Sequence, residues 1–230
     1  MLITFEGLDC SGKTTQARLL VEHLQKIQKA EDDIASEHIL PGRRVLFLRE
    51  PGGTELSERI RTILLDTKHS NMSHITELFL FSAARSQLVS DIIKPALERD
   101  EVVVCDRFYD STTAYQGWGR GIDHDGVKTL NRIATSGVTP DLTFYLDIDS
   151  SEVERRKALA GLREDRMESS GKVFYDRVRE GYLEIARTES RRFVVLNGIE
   201  PIDVLKEKIW AILLQRLKLL KEKHSGGVRW

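Results

Sequence analysis

Lys13 and Thr14 close the segment Gly7-Leu8-Asp9-Cys10-Ser11-Gly12-Lys13-Thr14, which fills every position of the pattern G-x-x-x-x-G-K-[ST]. Glycines at such spacing let backbone N–H groups curl around phosphate oxygens, and a following helix turns its positive dipole end toward the same anion. The lysine reaches the β- and γ-phosphates and the threonine hydroxyl offers a ligand to Mg²⁺. The context fits, because the apolar run Leu2-Ile3-Thr4-Phe5 precedes the loop and a helical stripe begins near Lys13. The residues Gly7 to Thr15 are therefore expected to bind a nucleoside triphosphate, with Mg²⁺ as cofactor.

Three further constellations carry chemistry. Arg49-Glu50-Pro51-Gly52-Gly53-Thr54 sits where a strand meets a helix, and a charged pair at the carboxyl end of a parallel strand lies where open α/β sheets bind ligands. A plain turn with Thr54 as helix N-cap accounts for the same segment. Phe81 and Arg85 are four residues apart, hence on one helix face, where a ring and a guanidinium could stack on a base and bond its edge. A core phenylalanine beside a structural arginine is the plainer alternative. Asp106-Arg107 ends an apolar run; the carboxylate suits a Mg²⁺ site and the guanidinium a bidentate grip on phosphate, although an ordinary ion pair would look the same.

Positioning these groups requires alternating strands and helices. Runs at 2–6, 44–49, 101–105, 142–147 and 193–197 read as strands, and Val102-Val103-Val104-Cys105 is nearly unbroken, as in a strand covered on both faces. Helical periods run through 13–28, 54–65, 75–98, 123–136, 151–160, 172–189 and 201–222. This alternation predicts an α/β fold, a three-layer α/β/α arrangement around a five-stranded parallel sheet, within one domain over 1–230. A polar insertion at about 29–42 and a basic tail at about 218–230, expected to fray, complete it. Lys+Arg at 35 against Asp+Glu at 36 leaves a net charge of −1, so no global basic field steers the chain to nucleic acid or an anionic membrane. No apolar stretch approaches a membrane-spanning length and no secretory leader is evident. Cys10 and Cys105 have no metal-site spacing. Two such thiols fit a reducing, cytoplasmic setting.

With these motifs in place, the chain resembles the bacterial type of thymidylate kinase from Met1 to about Ile209. The motifs that carry the likeness also include Ser111-Thr112-Thr113-Ala114-Tyr115-Gln116-Gly117, Gly119-Arg120-Gly121 and Pro140-Asp141-Leu142-Thr143. The resemblance implies ATP-dependent phosphorylation of dTMP to dTDP by a homodimer. It assigns Asp9 to the acceptor 3′-hydroxyl, Arg49 and Arg107 to its phosphate, Phe81 to stacking on thymine and Arg85 to thymine O4. Tyr115 would exclude a 2′-hydroxyl, and Thr112 or Gln116 would touch the base. Cys10 stands where some relatives carry an arginine, so arginines of a lid at about 160–171 are implied to neutralise transferring charge: Arg163 or Arg166, with Arg155 in reserve. A kinase for another nucleotide or for a nucleoside, or a nucleotide-binding switch without an acceptor pocket, would use the same loop.

Overall fold

A computed structural model describes residues 1–29, 43–161, 166–167 and 171–225. The insertion at 30–42, most of the expected lid and the last five residues lie outside the described residues. Among those described, five parallel strands form one sheet in the order β2-β3-β1-β4-β5: β1 (Leu2–Gly7), β2 (Val45–Arg49), β3 (Val102–Asp106), β4 (Leu142–Asp147) and β5 (Phe193–Asn197). The expected strands are all present, displaced by a residue at most.

Side-chain alternation assigns the two faces. Ile3 and Phe5 of β1, Val102 and Val104 of β3 and Phe144 of β4 face one way, onto α1 (Lys13–Lys29) and α8 (Ile202–Ser225). Leu2, Val103, Cys105 and Tyr145 face the other way. That second layer holds α3 (74–98), α4 (109–119) and α7 (Lys172–Thr188). The remaining helices are α2 (Glu55–Leu65), α5 (His124–Ala134) and α6 (Ser150–Ala160). A polar column runs inside the second face: Thr4 and Thr143 share a 2.8 Å hydrogen bond, and Arg192 grips Asp110 bidentately at 2.8 Å while donating to Thr143. Glu6 continues this column toward the carboxyl end of the sheet.

Two helices depart from the simple pattern. Within α3, His74–Leu88 and Lys94–Glu98 are joined by a π-helical stretch, Val89–Ile93. Pro95 has no N–H to give the carbonyl four residues back and its ring crowds that carbonyl, so the ladder widens just before it, with Lys94 N–H bonding Val89 O. The helix α4 was not anticipated. Its residues, rich in threonine and glycine, have weak helical propensity, and its larger part, Thr113–Gly119, is π-helical. Close packing against α7 holds it. A Cβ on Gly119 would stand 2.5 Å from the Phe174 ring, and one on Gly181 would stand 2.6 Å from Trp118. The final helix runs to Ser225, beyond the expected end at 222, so part of the basic tail is helical.

Since Gly181 lets α4 and α7 touch, Gly181→Ala is expected to overpack this contact and destabilise the fold by ~1–3 kcal/mol. For a chain of this size that lowers the melting temperature by roughly 2–4 °C per kcal/mol; an unchanged melting curve would contradict the packing described.

Candidate active site

The phosphate loop leaves β1 through Gly7, whose φ of 149° and close neighbours forbid a side chain: a Cβ would lie 2.6 Å from Ser11 Oγ and 2.8 Å from Leu146 O. Cys10 takes a left-handed φ of 59°, which turns the loop back toward α1. Lys13 is buried and its Nζ donates to Leu8 O at 3.0 Å, arching over the loop it serves. Burial, and then the Arg107 charge, lower the Lys13 pKa, although Asp9 and Asp106 oppose them. Thr14 Oγ1 donates to Asp106 Oδ2 at 2.5 Å, while Asp106 Oδ1 is buried with no hydrogen-bond partner. A carboxylate oxygen left unpartnered beside a threonine hydroxyl is the hard-oxygen donor set Mg²⁺ prefers, so these two residues fit that ion.

Arg107 follows β3 with a left-handed φ of 69°, uncommon for an arginine, and its N–H bonds Phe5 O at 2.9 Å. The turn aims the guanidinium across the sheet into five acceptors. Its Nη1 donates to Gly7 O at 2.9 Å, Ser111 Oγ at 3.0 Å and Tyr182 Oη at 3.4 Å. Its Nη2 donates to Asp9 Oδ1 at 2.5 Å and Tyr115 Oη at 3.2 Å. Asp9 also accepts from Tyr175 at 3.1 Å and Tyr115 at 3.3 Å. Burial raises its pKa, but Arg107 and Lys13 prevail and hold the carboxyl at about 2, so Asp9 is an anion at any working pH.

The opposite wall comes from β2, α3 and α4. Arg49, half exposed at the end of β2, reaches Glu58 with Nη2 at 3.2 Å from either oxygen. Arg85 is buried: Nε donates to Glu50 Oε2 at 2.7 Å, Nη1 to Asn131 at 3.4 Å and Nη2 to Phe108 O at 3.3 Å. Burial raises the Glu50 pKa and Arg85 pulls it back. Phe81 lies one turn before Arg85 on the same face. A turn earlier still, the fully buried Glu77 accepts from Gln116 at 2.9 Å, Arg120 at 3.1 Å and Arg166 at 2.6 Å.

One cleft of about 370 Å³ is lined by every residue expected to touch the acceptor: Asp9, Arg49, Phe81, Arg85, Arg107, Thr112, Tyr115 and Gln116. Lys13, Thr14 and Asp106 line its other end. Arg18, Phe47, Arg61 and Ser111 also line it and were not singled out from sequence. Arg61 donates to Pro51 O at 2.9 Å and Arg18 lies over the Phe47 ring. Lys13, Arg18, Arg49, Arg61, Arg85 and Arg107 outnumber the carboxylates Asp9, Glu50 and Asp106 in the lining, so the cleft favours anions.

The lid arginines separate. Arg163 lies outside the described residues. Arg166 does not face the phosphate loop: it is buried with Nε on Leu64 O at 2.7 Å and Nη1 on Glu77. Arg155, the reserve, pairs on the surface with Glu152. Its neighbour Arg156 reaches the loop, donating to Cys10 O at 3.1 Å and Gly198 O at 2.8 Å. On helix α6 these adjacent residues point about 100° apart, so Arg155 faces the surface and Arg156 the loop.

Comparison with known proteins gives the family. The family described as Thymidylate kinase matches residues 5–209. The chain is 46% identical over 224 residues to thymidylate kinase from Pelodictyon phaeoclathratiforme, covering 94% of this chain and 96% of that one. It is 45% identical over 226 residues to the enzyme of that name from Chlorobium luteolum, covering 95% and 99%. Among solved structures, thymidylate kinase from Ehrlichia chaffeensis superimposes with a TM-score of 0.70 at 36% identity, covering 93% of this chain and 98% of that one.

Glu50 neutralises a guanidinium that is only 2% exposed. Replacing it by Glu50→Gln is expected to cost ~3 kcal/mol or more of unfolding free energy, because a buried charge loses its partner. Chemical denaturation measures this, and a loss below about 1 kcal/mol would mean Arg85 is stabilised by its other two acceptors.

Proposed function

The chain belongs to the thymidylate kinase family and phosphorylates dTMP to dTDP with ATP as donor, and we propose that the cleft described above is where the two nucleotides meet. The observation that carries this is the convergence of the phosphate loop and all eight acceptor-side residues on one cation-rich cleft. ATP lies along Gly7 to Thr15, with backbone N–H groups and Lys13 on its phosphates. The acceptor phosphate sits on Arg107 and Arg49, its 3′-hydroxyl on Asp9, and its base between Phe81 and the Arg85 edge. A guanidinium donor suits thymine O4 and repels the amino group that cytosine carries there. Tyr115 stands beside Asp9 where a 2′-hydroxyl would come, and Thr112 and Gln116 close the base end.

The chemistry these residues perform is alignment and charge neutralisation. A phosphate monoester has a second pKa near ~6, so the acceptor arrives mostly dianionic and needs no strong general base. Lys13 and Arg107 both pair with Asp9 Oδ1, at 3.9 and 2.5 Å, so one carboxylate holds both cations where the two phosphates are proposed to meet. Thr14 and Asp106 are the residues that would hold Mg²⁺, which supplies charge neutralisation on the phosphate oxygens when bound. A lid arginine completes the neutralisation, with Arg163 and Arg166 the two candidates; Arg166 reaches the phosphates only by leaving Glu77. Closure of the 160–171 segment would also shed water that could otherwise intercept the phosphoryl group.

A homodimer in the cytoplasm is the assembly we propose. On α3, Ile75 and Phe79 lie four apart and are 49% and 57% exposed, and Ile133 of the neighbouring α5 is 63% exposed. Such an apolar face suits a second copy of the chain. Among the described residues no helix is long and apolar enough to cross a membrane.

The activity is tested by ADP release with a panel of nucleoside monophosphates. Fast turnover with dTMP, and turnover at least about tenfold slower with CMP, is expected; equal rates, or ADP release with no acceptor, would overturn the assignment. Lys13→Ala is expected to lower kcat by roughly 10²-fold or more with the melting temperature preserved. Sedimentation should give twice the 26.3 kDa chain mass, and Phe79→Glu should shift the species toward monomer. A wild-type monomer at micromolar concentration would refute the dimer.

A further inference from the structure

We infer that Glu6 is a positioning residue for the acceptor phosphate, acting through Ser111 and Tyr182 on the Arg107 guanidinium. This rests on the reading that Arg107 holds that phosphate. Glu6 is the last side chain of β1 before the phosphate loop, fully buried within a strand otherwise made of apolar residues, threonine and glycine. A carboxylate in that place is costly unless every oxygen is satisfied. Here Oε1 accepts the Phe108 N–H at 2.7 Å, and Oε2 accepts Ser111 Oγ at 2.6 Å and Tyr182 Oη at 3.0 Å.

The directions of these bonds carry the argument. An ionised carboxylate only accepts, so the Ser111 hydroxyl spends its hydrogen on Glu6. Tyr182 spends its own on Glu6 or on Ser111 Oγ, 2.9 Å away. Neither hydrogen is left to face Arg107, and both oxygens turn lone pairs toward Nη1 at 3.0 and 3.4 Å. Glu6 thus orients two hydroxyls that would otherwise rotate, and they fix the inner edge of the guanidinium. Its outer edge is held by Asp9. The Phe108 N–H on Oε1 also ties Glu6 to the turn in which Arg107 takes its left-handed φ. Without this support the guanidinium would have to be ordered when dTMP binds, and the acceptor affinity would fall accordingly.

Glu6→Gln tests the mechanism because it preserves shape while reversing one polarity. With Oε1 still needed by Phe108, the amide nitrogen must occupy the other position and donate to the hydroxyls. Ser111 and Tyr182 can then spend only one hydrogen on each other, and the other turns toward Arg107, donor against donor. Burial, followed by the Asp110 charge, lifts Glu6 to about 7, so measurements belong at about pH 8.5, where the carboxylate form dominates.

Calorimetric titration of dTMP is performed on wild type, Glu6→Gln, Arg107→Met and the double variant, with a non-hydrolysable ATP analogue titrated in parallel. Glu6→Gln should weaken dTMP about tenfold while leaving the ATP analogue within about twofold, and it should add nothing in the Arg107→Met background. Unchanged dTMP affinity, an equal loss for both nucleotides, or a full further loss in the Arg107→Met background would overturn the role of Glu6 while leaving that of Arg107 standing. Arg107→Met binding dTMP as tightly as wild type would instead overturn the reading of Arg107, and the inference with it. Where Glu6→Gln does not fold, Ser111→Ala and Tyr182→Phe replace it. Each should weaken dTMP about threefold with the analogue unaffected, and wild-type affinity in both would overturn the inference.

Discussion

Two polyanions must approach within bonding distance, and the enzyme meets that constraint with cations fixed before either arrives. Arg107 is the clearest case. A free arginine would lose rotamer entropy each time it clamped a phosphate. This one is already held by five acceptors and a left-handed backbone that costs about 1–2 kcal/mol. The sheet makes this possible. β1 and β3 are hydrogen-bonded neighbours with Phe5 opposite Asp106, so the residues leaving their carboxyl ends, Gly7 to Asp9 and Arg107, emerge side by side. The phosphate loop and the proposed acceptor clamp are therefore parts of one crevice at the ends of paired strands rather than two sites brought together by motion.

The carboxylates in that crevice limit the charge as well as orient it. Asp9 touches both Lys13 and Arg107 and remains ionised because they outweigh its burial. Without it two cations would repel across a desolvated gap; burial first, and the Arg107 charge second, already lower the Lys13 pKa. Glu50 does the same for Arg85, and Glu77 for Arg120 and Arg166, whose hydrogen bonds hold Glu77 below the ordinary range against the cost of burial.

The sheet was legible in the sequence because parallel strands covered on both faces must be continuously apolar, and Val102–Asp106 or Leu142–Asp147 reads as little else. The phosphate loop was legible because only glycine survives at Gly7. What escaped was set by tertiary contact. The helix carrying Tyr115 and Gln116 has poor intrinsic propensity and exists because Gly119 and Gly181 let it lie against α7. Arg61 lines the cleft from α2 with nothing in its local sequence to set it apart from Arg59, which is paired on the surface with Glu55. Glu6 did leave a signal, a lone carboxylate in an apolar strand, and a charge so placed demands partners that local pattern cannot name.

The acceptor side shows why buried ion pairs were used where apolar packing would be as stable. Glu77, Phe81 and Arg85 occupy successive turns of one α3 face, two charges flanking a ring. Replacing such pairs by hydrocarbon is often neutral or stabilising, so stability alone does not account for them. Recognition does. A pocket that tells one pyrimidine from another needs an N–H at a fixed place and angle, and an arginine held at three of its nitrogens by Glu50, Asn131 and Phe108 O has no other direction to offer. Gln116, tied through its amide nitrogen to Glu77, is fixed in the same way. On the proposed placement of the acceptor, the wrong base would meet donors that cannot turn aside, and the immobility of the buried pairs, more than their attraction, would give the pocket its selectivity.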